Sequence, residues 1–223
     1  KPYLITVISQ LLFGITLYGR NANLLYYFTY IEGSKSLFST YSLFTIIPSI
    51  LGAACFPIVF NWTRNKGKAA AIFAFLTGIA MFSLYFFSAV NTPIYFYTLS
   101  CFAQFFFSGF NTAIYAIIPD CVEYGEWKTG LRNDGFQYAF ISLGNKIGMA
   151  LGTAILTMVL GKAGYITNKI QNPKVISIIK HCFSTVPGIL WIITEITLMF
   201  YQLNKDQYAR LIIDIKLKKG RKF

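Results

Sequence analysis

The sequence has 223 residues, of which 55% are hydrophobic, 18% aromatic and only 13% charged, with a net charge of +12. At a mean hydropathy of +0.53, it carries too much apolar surface and too few charges to enclose one water-soluble core, which leaves a membrane protein. The positive charge does not make it a nucleic-acid binder, because its lysines and arginines are dispersed among short polar segments and one tail.

A hydrocarbon layer about 30 Å thick is crossed by roughly 20 apolar residues of helix. Six such stretches follow one another: Leu4 to Phe28, Leu37 to Phe60, Ala69 to Val90, Pro93 to Ile118, Phe136 to Leu160 and Ser184 to Leu203. Between them lie EGSKS, NWTRNKGK, NTP, the stretch PDCVEYGEWKTGLRNDG from Pro119 to Gly135, and AGYITNKIQNPK. All are rich in turn residues and none resembles a linker between domains. The expected fold class is an all-α membrane protein, a six-helix transmembrane bundle over residues 1–203 followed by a basic tail over residues 204–223.

Lysine and arginine are retained on the cytoplasmic side of membrane proteins. With Lys1 inside, thirteen of the twenty basic residues fall on that side, five on the other, and two, Arg20 and Lys146, inside spans. Both termini are therefore expected to be cytoplasmic. In the tail, Tyr208, Leu211, Ile212 and Ile215 recur at helical spacing with bases after them. Such a segment either lies on anionic inner-leaflet lipid or stands as an ordinary solvated tail. Cys55, Cys101, Cys121 and Cys182 have no disulfide or zinc spacing, and His181 has no metal-spaced partner, so no metal site is expected.

Three charged residues interrupt the apolar spans. Lys146 lies about ten residues into the fifth span, roughly 15 Å deep, where a lysine costs about 2.5–3.5 kcal/mol and needs a partner or a wet cavity. On a helical wheel Gly144, Gly148 and Gly152 form one strip, with Ser142, Lys146, Met149 and Thr153 opposite. The glycine side suits close helix packing; the Lys146 side suits a cavity wall, the alternative being a structural lysine paired with a buried acid. Arg20, with Asn21 and Asn23 in YGRNAN, marks a polar site or a snorkelling side chain. Glu195, expected near mid-span in IITEIT, is either a proton-linked carboxylate or the partner of a buried base. The Pro119 to Gly135 stretch reads as a loop opened by Pro119, setting Asp120, Glu123 and Glu126 against Lys128 and Arg132. Those charges form either a solvated turn or ion pairs that re-form between conformations.

DCVEYGEWKTGLRNDG, leading into a span with Lys146 and closing on LGKAGY, resembles the signature of the glycoside-pentoside-hexuronide:cation symporters, a branch of the major facilitator superfamily. YYFTYIEG, RNKGKAA and FYQLNKDQYARLIIDI extend the resemblance over essentially the whole chain, but only to the carboxyl-terminal half of such a carrier. EYGEWKTG and GYITNKIQNPKVI are closer to glucuronide and pentoside carriers than to the melibiose type.

The resemblance implies helices seven to twelve of a twelve-helix transporter of the inner (cytoplasmic) membrane. Such a carrier moves a sugar, glycoside or hexuronide together with sodium or a proton by alternating access. The implied partners are the substrate, membrane lipid and an amino-terminal six-helix half. That half would hold the carboxylates for the coupling cation, so no cofactor is expected on this chain, and the chain reads as a fragment or partial product unable to transport alone. Lys146 matches the helix-eleven lysine that faces the sugar and cation region. Asn111 stands at a helix-ten position where the melibiose carrier has a tryptophan, a departure that implies a different sugar surface. Ser142, Asn145 and Arg20 join these two as substrate-binding candidates. Asp120, Glu123 and Arg132 match the family's cytoplasmic ion-pair network, Glu126 lies in the same stretch, and Pro119 replaces a common alanine. A lipid carrier of the same fold and a non-transporting channel or assembly subunit are the competing readings. Among these residues no nucleophile with a base, and no metal set, points to an enzyme.

Charge asymmetry sets a topological test. In the protein expressed from its complete gene, Lys169→Cys should react with a membrane-impermeant thiol reagent in intact cells while Lys128→Cys should not; the reverse pattern would invert the topology.

Overall fold

The computed structural model describes residues 2–220, with side chains through 218. The described chain is helical throughout its ordered elements: α1 (Pro2–Tyr30), α2 (Ser36–Thr63), α3 (Lys66–Ser83), a 3-10 turn (Leu84–Phe86), α4 (Pro93–Thr129), α5 (Asp134–Lys162), α6 (Pro173–Phe183), α7 (Thr185–Met199) and α8 (Lys205–Gly220). Six spans are long and apolar enough to cross a bilayer, α6 and α7 together forming one of 27 residues. The six-span, all-α architecture expected from hydropathy is the one that forms.

Helix contacts arrange the bundle in two layers. α5 lies along α1, α4 lies along α2, and α1 meets α4 between them; α3 packs behind α4, and α7 packs on α3 and α1. One end of the bundle gathers the start of α1, the α2–α3 and α4–α5 turns, and α8, and it carries Arg64, Lys66, Lys68, Lys128 and Arg132. This is the basic end. At the centre, Trp191 of α7 meets Phe110 of α4 edge-on at 4.7 Å and Phe13 of α1 at 6.2 Å. Toward the far end, Tyr27 and Phe28 of α1 join Tyr41, Phe96 and Phe183 in a second core, with Tyr27 stacked on Phe183 at 3.8 Å.

Lipid gives helices no hydrophobic reason to associate, so close backbone packing has to hold them. The glycine strip of α5 does this against α1: Gly144, Gly148 and Gly152 are all buried. A Cβ at Gly148 would run into the Leu11 carbonyl oxygen and lie 3.0 Å from the Gly14 Cα.

Two boundaries differ from the sequence expectation. The stretch from Pro119 is not a loop: α4 continues through Thr129, and only residues 130–133 turn before α5. Proline removes one N–H and leaves the Tyr115 carbonyl without its helical donor. Beyond it, however, Asp120, Cys121, Val122 and Glu126 are buried, and that tertiary burial keeps the extension helical. Gly130, at φ 73°, then ends the helix in the left-handed conformation. Likewise, the end of AGYITNKIQNPK and the residues after it form α6 instead of loop. Asn172 caps that helix by accepting from the Val175 N–H at 2.8 Å, Pro173 occupies its first turn, and Val175, Ile179 and Phe183 bury one face. Lys174, Lys180 and His181 lower its hydropathy without breaking its amphipathic period.

Because the α1–α5 contact is backbone against backbone, Gly148→Val should destabilise the folded protein by about 1–3 kcal/mol, the usual cost of overpacking. Gly161→Ala, where an added Cβ meets nothing within 4 Å, should leave thermal unfolding in detergent unchanged. Equal melting temperatures for the two variants would contradict the packing account.

Candidate functional site

α5 has two unlike faces. Opposite the buried glycines, Ser142, Lys146 and Met149 are exposed and Thr153 is half-buried. Among the described residues Lys146 makes no ion pair, so the alternative of a lysine matched with a buried acid of this chain is not what forms. Asn145 lies at the edge of the glycine strip, and its amide donates to Gln10 Oε1 of α1 at 3.3 Å. Asn111 is half-buried on α4, and its Oδ1 is enclosed without a hydrogen-bond donor. No hydrogen bond joins Asn111 to Lys146 among the described residues; each presents its polar group from its own helix.

Arg20 occupies a different environment. It is 7% exposed, donates from Nε to the Phe183 carbonyl at 3.2 Å and from a terminal nitrogen to the Tyr41 hydroxyl at 2.9 Å, and lies 4.7 Å from the Phe183 ring centre. Phe183 ends α6, so the guanidinium meets the carbonyl end of a helix, where positive charge is favoured. Asn23 donates to the Ile179 carbonyl at 2.8 Å, one turn earlier. Arg20 and Asn23 thus join α1 to α2 and α6, while Asn21 is exposed.

Glu32 was not singled out by its sequence context, although YIEG contains it. It is buried, and it accepts from the Tyr27 hydroxyl at 2.9 Å, the Ser88 hydroxyl at 2.8 Å and the Val90 N–H at 3.0 Å. Three donors satisfy the carboxylate and fasten the α1–α2 turn to the α3–α4 turn. Only the return of the chain from α3 brings those donors to it.

Glu195 is not at mid-span. It lies four residues before the end of α7, about 6 Å from that end at 1.5 Å per residue. It has no basic partner among the described residues, so the buried-pair alternative for it is also not what forms.

The basic end holds the remaining charges. Lys66 Nζ, at the start of α3, lies 2.7 Å from Asp120 Oδ1 and 3.0 Å from the Ala116 carbonyl. Asp120 is 4% exposed, so this pair is largely removed from water. Arg132 in the α4–α5 turn reaches Glu126 at 3.1 Å and Asp134 at 2.9 Å. Asp120, Glu126 and Arg132 are therefore brought to one end, but in two separate groups, Lys66 with Asp120 and Arg132 with both Glu126 and Asp134, and Glu123 joins no ion pair among the described residues; Lys66 and Asp134 are the partners that sequence reading missed. The RNKGKAA stretch held the signal for Lys66, since charge asymmetry already put it on the same side as Asp120.

α8 covers this layer. Its Leu211 is buried, and Ile212 and Ile215 pack with Tyr124 of α4 against the main core. The apolar stripe of the tail therefore packs on protein, because the extended α4 offers it a surface. Lys205 N–H donates to the Arg64 carbonyl at 2.8 Å, Arg64 pairs with Asp206 at 2.8 Å, and Trp127 donates to Asp214 at 3.2 Å. Burial, and next the carboxylates of Glu123 and Asp120, hold the Tyr208 phenol above its usual pKa.

Residues 1–205 match the family described as MFS/sugar transport protein. The chain is 28% identical to a glucuronide carrier protein homolog of Escherichia coli over 98% of its own length and 48% of that protein. It is 28% identical to a putative sulfoquinovose importer of the same organism over 88% of its length and 42% of that protein. An isoprimeverose transporter of Lactiplantibacillus pentosus is 31% identical over 46% of this chain and 21% of that protein. The chain spans about half the length of the first two.

The Lys66–Asp120 pair generates a stability test. Removing one partner of a fully buried pair costs about 3–5 kcal/mol. With Lys66 about a fifth exposed, Lys66→Met should cost somewhat less, on the order of 2–4 kcal/mol. Adding Asp120→Asn to Lys66→Met should recover part of that loss in a double-mutant cycle. Arg64→Ala, which breaks an exposed pair, should cost less than about 1 kcal/mol.

Proposed function

Because the chain belongs to the MFS/sugar transport protein family, we propose that it is the carboxyl-terminal half of a secondary carrier that moves a sugar, glycoside or hexuronide across the cytoplasmic membrane together with a sodium ion or a proton. The observation that carries this reading is Lys146, a lysine without an ion pair among the described residues, in the middle of a membrane-length helix and on the side opposite its packed face. Hydrocarbon does not accept such a charge, so that side of α5 borders a water-filled cavity. Ser142, one turn away and exposed on the same face, supplies a further group of the kind that holds hydroxyls. A glycoside needs this polar wall; a lipid cargo does not.

In this reading an amino-terminal six-helix half closes the cavity and contributes the carboxylates for the cation. The lysine ammonium competes with the incoming cation for those carboxylates, which ties the occupancy of one site to the other. The basic end is cytoplasmic. Its Arg132, Glu126 and Asp120 groups lie at the rim, where ion pairs with the other half form in one state and release in the next. In this reading the bound cation raises the affinity for the glycoside, and that gain is the quantity to measure.

In the protein expressed from its complete gene and reconstituted, Lys146→Ala should abolish the cation-dependent gain in glycoside affinity, bringing a coupling on the order of 5–150-fold toward one. If the folded variant keeps the wild-type gain, Lys146 is structural and the coupling role fails.

A further inference from the structure

We infer that the groove between α2, α3 and α7 at the basic end is a binding site for a phospholipid whose headgroup carries both a phosphate and a primary ammonium, as phosphatidylethanolamine does. The groove has a volume of about 620 Å³ and lies away from the face of Lys146. α3 packs on α2, α4 and α7, and α7 packs on α3, α1 and α6, so the groove opens on the back of the two-layer bundle.

Its walls have the chemistry of a membrane interface. Lys68, in the first turn of α3, and Glu195, on α7, both line it, and neither is in an ion pair among the described residues. Trp62, 79% exposed in the last turn of α2, stands at the same level, where amphipathic rings meet headgroups. The floor is apolar: Ile72, Phe75 and Leu76 follow one another down one side of α3 toward the bilayer interior.

Glu195 decides which lipid fits. A half-buried carboxylate at the edge of hydrocarbon needs donors, and no described residue donates to it. A primary ammonium provides three N–H donors and the opposite charge. A quaternary choline provides no N–H, and an anionic glycerol headgroup would set its negative charge against the carboxylate. Lys68 takes the phosphate, which leaves the filled site neutral, and an acyl chain lies on Ile72, Phe75 and Leu76. A sugar would leave that floor uncovered by any apolar group.

Native mass spectrometry of the protein expressed from its complete gene, stripped of lipid and titrated with phosphatidylethanolamine, phosphatidylcholine or phosphatidylglycerol of identical chains, tests the site. The ethanolamine lipid should be retained roughly tenfold better than the choline lipid, the scale of hydrogen bonds to a charged group. Glu195→Gln should bring that ratio toward one, Lys68→Gln should weaken both lipids, and Leu76→Trp should fill the floor and remove both. Should Lys68→Gln fail to fold, Glu195→Gln and Leu76→Trp decide the matter. Equal retention of the ethanolamine and choline lipids by the unaltered protein, a preference for the glycerol lipid, or an undiminished ratio in Glu195→Gln would each overturn the assignment.

Discussion

Hydrocarbon offers no hydrogen bonds, so every backbone amide and every charge within the spans has to find its partner in protein or in an enclosed aqueous space. That constraint makes the described elements helical, and it explains how the chain treats its irregularities. Pro48, Pro57 and Pro119 all lie inside helices. Each removes one hydrogen bond, and the neighbouring helices hold the segment straight enough to continue. Where the last span breaks at Ser184, Arg20 supplies a donor to the carbonyl just before the break.

The same constraint separates structural charges from the functional candidate. Arg20 and Glu32 are buried and partnered: the first with a carbonyl, a hydroxyl and an aromatic ring, the second with two hydroxyls and an amide. Both fasten helices near the far end of the bundle. Lys146 differs, because the glycine strip that draws α5 onto α1 turns its ammonium outward. The packing of one face therefore fixes the direction of the other.

At the basic end, charge and apolar packing act together on the same elements. The extended α4 rises beyond the spans and gives α8 a surface for Leu211, Ile212 and Ile215. Lys66 and Asp120 tie α3 to that extension, and Arg132 closes the turn into α5. A movement of α4 would thus be felt in the ion pairs of both Asp120 and Glu126, since the two acids lie on the same helix.

Hydropathy, glycine spacing and the distribution of lysine and arginine determined the six spans, the packing side of α5 and the outward direction of Lys146, because each depends on local periodicity along one helix. The signature stretches likewise pointed to the family, and the match over residues 1–205 bears that out. Tertiary structure alone decided the rest. Pro119 could continue a helix only because α4 is buried on its neighbours, Asp120 met Lys66 across 54 residues of sequence, and the tail stripe was covered by α4. Arg20 turned from a site candidate's position toward the end of α6 because that carbonyl was brought beside it from 163 residues away. Pairings at such separations leave no period in the sequence; they exist only once the helices have chosen their neighbours.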